Sequence, residues 1–72
     1  MVKFVRYDWV EGEVFTITTI EEGTAMALIN MFRKLKTFDA VDGLEVRGAT
    51  EEEIHVVFPD GSGTFIAPQI LL

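Results

Sequence analysis

His55 is the only histidine of the chain, and histidine is the side chain whose ordinary pKa places a charge change near neutral pH. A histidine acting as general base needs an acidic residue to orient it and a nucleophile or substrate within hydrogen-bond reach. Pairing Arg47 with Glu53 in an antiparallel hairpin would set Glu45 opposite His55 as that orienting group. The neighbouring hydroxyls, Thr50, Ser62 and Thr64, belong to no nucleophile motif. No glycine-rich phosphate loop and no paired-histidine zinc pattern occurs. Titratable pairs without a cleft are mostly structural, so no residue is assigned as catalytic.

The carboxylates are equally uncommitted. Glu51-Glu52-Glu53 forms a short acidic run beside a turn, the usual signature of a solvated segment. Asp39 and Asp42 flank Gly43 without the ligand spacing of a calcium loop. No metal ligands and no cofactor are therefore expected. The aromatic residues carry more: Tyr7, Trp9 and Phe15, with Phe65, are of the type that stacks on a planar ligand such as a nucleobase.

Charge narrows the partners. Six Lys and Arg against twelve Asp and Glu give a net charge of −6. Phosphate backbones are held by clustered cations, and only Arg33, Lys34 and Lys36 cluster here. Nucleic acid is therefore not an expected partner, whereas a basic protein surface is. No apolar run approaches the ~20 residues of a membrane span, and Met1–Arg6 lacks the features of a signal peptide. With no cysteine to form disulfides, the expected location is the cytoplasm.

The elements that must position these residues follow from periodicity. Residues 2–9 and 13–19 alternate as strands, rich in β-branched and aromatic residues. Val10-Glu11-Gly12 would join them in a register pairing Tyr7 with Phe15 and Val5 with Ile17. Thr19-Ile20-Glu21-Glu22 reads as a capping box opening a helix over 20–36. Its apolar stripe is Ala25, Leu28, Ile29, Phe32 and Leu35, with Met31 at the edge and Met26 on the polar face. Phe38 and Val41 should close the core from the side. Strands at 44–47, 53–58 and 64–71 complete the chain, with a turn at Pro59-Asp60-Gly61. Pro68, lacking an N–H, suggests that the last strand lies at an edge or carries a bulge.

The expected fold is α+β: a single domain over residues 1–72, in ββαβββ order, with one helix packed on a mostly antiparallel sheet. A 72-residue chain that is 49% hydrophobic struggles to bury its own apolar surface without disulfides or metals. Homo-oligomerisation is the expected remedy. If Leu44, Val46, Ile54, Val56 and Ile66 face the helix, then His55, Val57 and Phe65 face away and form an interface, to which Met26 adds a flexible apolar contact. The apolar C-terminus, Ala67 to Leu72, should dock on the chain itself.

The leading functional expectation is a small acidic, non-enzymatic interaction or inhibitor-type protein that acts by binding another macromolecule. Small accessory proteins, viral ones among them, share this profile. The alternative is a protein that binds or sequesters a nucleotide-like ligand, with a pocket between protomers lined by Tyr7, Trp9 and Phe15. A minimal enzyme using His55 and carboxylates is the least favoured.

Overall fold

A computed structural model describes residues 3–10, 13–48 and 50–69. Strands β1 (Lys3–Val10) and β2 (Glu13–Glu21) are followed by helix α1 (Glu22–Thr37). Strands β3 (Glu45–Arg47), β4 (Ile54–Val57) and β5 (Gly63–Pro68) complete the order ββαβββ. They form one antiparallel sheet in the order β2-β1-β5-β4-β3, and α1 packs on one side of it. The α+β class and the element order expected from the sequence are both observed.

The core lies between α1 and the β5-β4 region. Ala25, Ile29 and Phe32 descend from the helix onto Ile54, Val56, Ile66, Phe4 and Leu44, all of them buried. This set follows from the two periodicities: i, i+4, i+7 along α1 and alternate residues along β4 and β5. Val41 packs against the core as expected, together with Val46 and Phe58. Phe58 meets Phe32 edge-on, with ring centroids 6.3 Å apart. Phe38 does not close the core. It is 76% exposed: as the C-cap of α1, which ends within one residue of the expected position, it follows Met31 and Lys34 around the helix and not the buried stripe of Ala25, Ile29 and Phe32.

That helix end is a Schellman turn. Ala40 N–H donates to Leu35 O at 2.9 Å and Asp39 N–H to Lys36 O at 3.2 Å. The geometry places Asp39 at φ 53°, a left-handed conformation normally taken by glycine. The other helix end departs from the expected capping box. Strand β2 continues to Glu21, which precedes α1 without any side-chain cap. The β1–β2 ladder runs to Lys3↔Glu21, so Thr19 pairs with Val5 as a strand residue.

Both hairpins slide by two residues from the expected registers. Tyr7 pairs with Ile17 and Val5 with Thr19, with a bulge between Asp8 and Trp9. The slide sets Ile20 opposite Phe4, at the margin of the core. The link between these strands, residues 11–12, lies outside the described residues. In the second hairpin Arg47, not Glu45, stands opposite His55, and Val46 pairs with Val56. A slide of two preserves the face of every side chain, so the inside–outside assignment survives while the cross-strand partners change. Arg33 braces the longer loop by donating to Thr50 O at 2.8 Å and Glu53 O at 3.2 Å.

β5 is not an edge strand: it lies between β1 and β4. Gln69 N–H donates to Lys3 O at 2.7 Å. Alternate residues address opposite neighbours, so Pro68 turns its missing donor toward the β4 side. There β4 has already ended, its first residue Ile54 pairing with Ile66. The Pro59-Asp60-Gly61 turn forms as expected, with Gly61 N–H donating to Phe58 O at 3.0 Å and Gly61 at φ 90°. Hydrogen bonds from the Ser62 hydroxyl and N–H hold the Asp60 carboxyl below its ordinary pKa. The tail beyond Gln69, expected to dock on the chain, lies outside the described residues.

Candidate binding face

Strand β1 presents two unequal faces. Phe4, Arg6 and Asp8 point to the helix side; Val5, Tyr7 and Trp9 point away. The more apolar set thus faces outward. On the helix side only Phe4 reaches the core. Arg6 and Asp8 form an ion pair at 3.0 Å, and Asp8 accepts a hydrogen bond from the buried Thr64 hydroxyl at 2.6 Å. That bond satisfies the one buried polar residue of the sheet.

Cross-strand pairing assembles the outward face. Tyr7 pairs with Phe65 and Trp9 with Gly63; Phe65 pairs in turn with His55, and Gly63 with Val57. The result is a connected aromatic group: Tyr7–Phe65 at 6.1 Å, Phe65–His55 at 6.1 Å and His55–Trp9 at 5.3 Å between ring centroids. Each residue is half-buried by its neighbours rather than by a covering layer. Gly63 makes the arrangement possible. A Cβ there would collide with the Trp9 indole and the Val56 carbonyl, so the indole lies in the space that the missing side chain leaves.

The rim is polar. Lys3 and Glu21 pair at the β2 side, and Arg47 and Glu45 at 2.9 Å on β3. Exposed pairs of this kind add little stability, but they leave the centre of the face uncharged. An aromatic centre with a charged rim is the usual anatomy of a protein interface.

The structure therefore unites two groups that the sequence analysis kept apart: His55, Val57 and Phe65 as an interface, and Tyr7 and Trp9 as stacking candidates. Phe15 lies in β2, but its side chain is outside the described portion. Met26 corrects the expectation. It is half-buried against the core and does not stand on the polar side of α1. The helical stripe is centred on Ala25, Ile29 and Phe32, and Met26 is the i−3 neighbour of Ile29 on its flank. The expected Glu45–His55 pair is also absent, since Glu45 bonds Arg47 along its own strand.

A second apolar surface was missed from the sequence. A groove of about 530 Å³ on the outer side of α1 is lined by Met31, Leu35, Phe38 and Ala40, with Asn30 and Lys34 beside them. Phe38 lies there as the C-cap residue, one turn beyond Lys34 and two beyond Met31 on the same side of the helix. Among the described residues, no group of three His, Asp or Glu could hold a metal ion, and no helix is long and apolar enough to cross a membrane. Comparison with protein-family models, curated proteins and solved structures found no match to this chain.

Proposed function

We propose that this chain is a non-enzymatic binding protein whose working surface is the helix-free face of its sheet. The observation that carries this reading is the Tyr7–Phe65–His55–Trp9 group, an aromatic surface left uncovered on a domain whose core is complete without it. The partner class is a protein bearing an apolar patch with basic residues around it. The net charge of −6 favours such a rim. Lys3, Arg6, Arg33, Lys36 and Arg47 all bond this chain's own carboxylates or carbonyls, which disfavours nucleic acid. Binding covers the partner's patch and so inhibits whatever that patch does. The chain works in the cytoplasm as a homo-oligomer, consistent with its apolar excess.

Stacking of a planar ligand is the second reading, favoured by the convergence of Tyr7, Trp9 and Phe65 on one face. Against it, the rings meet at 52°, 60° and 76°, so no two of these pairs leave a parallel slot for a third ring. Native mass spectrometry of freshly purified protein separates the two, since a retained nucleobase-like molecule would favour the second.

The direct test is Phe65→Lys. Circular dichroism should remain unchanged, because the residue faces away from α1. Proteins retained by the immobilised wild-type chain should be lost, while Phe38→Lys, on the helix groove, keeps them. Equal retention by all three chains contradicts the proposal, as does unfolding by Phe65→Lys.

A further inference from the structure

Strand β2 is the outermost strand on its side, and among the described residues no strand lies beyond it. It is nine residues long. Between Glu13 and Glu21 it contains no charge, no proline and no glycine. Exposed edges are normally blunted by such residues or by shortness; β3, the opposite edge, has only three residues, two of them charged. The backbone phase of β2 can be read from its neighbours. Gln69 N–H bonds Lys3 O, so Lys3, Val5, Tyr7 and Trp9 address β5, and Phe4, Arg6 and Asp8 address β2. Their partners Ile20, Thr18 and Thr16 are thereby engaged with β1. Ile17 and Thr19 turn their N–H and C=O groups outward.

We infer that a second copy of this chain pairs with β2, edge to edge and antiparallel. This deepens the oligomer part of the proposed function but uses a different surface from the aromatic face. A strand that pairs with its own copy about a two-fold axis has few registers. Centring the pair on Ile17 would set Glu13 against the second copy's Glu21, which like-charge repulsion disfavours. Centring it on Thr18 avoids this. Ile17 and Thr19 of one copy then exchange hydrogen bonds with Thr19 and Ile17 of the other, and Thr16 stands opposite Ile20. Glu21 keeps its own Lys3. For a chain of net charge −6, this uncharged strand is where two copies can meet without opposing carboxylates. Cross-strand neighbours share a face, so both helices fall on one side. The two aromatic faces become contiguous on the other, giving a bivalent binding surface.

The register makes Thr18 the position that meets itself, in a pair without mutual backbone hydrogen bonds, where side chains approach closest. The chain has no cysteine, so single-cysteine variants report it cleanly. Oxidised glutathione should link Thr18→Cys into disulfide dimers, while Thr16→Cys, facing Ile20, should not link. Thr18 is exposed, so Thr18→Lys should fold normally by circular dichroism yet weaken the dimer by about tenfold or more. Mixing Thr18→Lys with Thr18→Glu should restore dimers. A wild-type mass of 8.1 kDa at all micromolar concentrations would overturn the inference. So would a Thr18→Lys dimer of undiminished affinity, or equal cross-linking at positions 16 and 18. Phe65→Lys leaves the β2 edge intact, so failure of edge pairing and failure of face binding are read separately.

Discussion

Ile54, Val56 and Ile66 and, one residue along on the same two strands, His55 and Phe65 are separated by the thickness of a single sheet. The first set is aliphatic and fully buried under α1; the second is aromatic and half-buried under nothing. Branched aliphatic side chains have few rotamers and no polar atoms, which suits a permanent interior. Tyrosine, tryptophan and histidine pair an apolar body with a polar handle, which suits a surface that is wet in one state and covered in another. A sheet with one helix on it normally shows water a polar second face. Here Arg6 and Asp8 of β1 sit on the helix side, beyond the core, and Tyr7 and Trp9 are outside. That inversion separates what folds the domain from what is available for binding.

The largest expected effect is on the closed side. Phe32→Ala should cost about 3–5 kcal/mol in chemical denaturation, since it empties the space between α1 and Phe58. A cost below ~1 kcal/mol would mean that the helix face is not the core. Next is Gly63→Ala, which forces a methyl against the Trp9 indole and the Val56 carbonyl. It should cost ~1–3 kcal/mol and move the tryptophan emission. An unchanged spectrum would mean that Trp9 does not lie over Gly63. The smallest effect lies on neither face and has the opposite sign. Asp39→Gly relieves the left-handed conformation at the end of α1 and removes a carboxylate from the negative end of the helix. It should stabilise by up to ~1 kcal/mol with no change in what the face retains.

The inside and outside of β3, β4 and β5 were legible in the sequence because side-chain parity depends only on alternation. Ile54, Val56 and Ile66 against His55, Val57 and Phe65 required no knowledge of partners. Cross-strand identity was not legible. Registers depend on loop geometry, here a bulge at Asp8/Trp9 and a loop held by Arg33, neither of which leaves a local signal. The facing of β1 was also hidden. Both of its faces carry apolar residues, and choosing between them needs Phe4 to meet Ile20 and the helix. The Phe38 groove was missed although the helix end was expected to within one residue: Phe38 is apolar and was assigned to the core, whereas its place around the helix follows Lys34 and Met31, away from Ala25, Ile29 and Phe32. The placing of β5 between β1 and β4 is a matter of strand order, which Pro68 suggested wrongly.

Trp9 is the chain's only tryptophan, and it sits inside the aromatic group, so the face carries its own reporter. Acrylamide quenching of Trp9 fluorescence, measured with and without a protein that the wild-type chain retains, tests the central claim directly. The account predicts that Trp9 becomes shielded in the complex, and that Phe65→Lys shows neither binding nor shielding. A complex that forms while Trp9 is quenched as readily as in the free chain would contradict it.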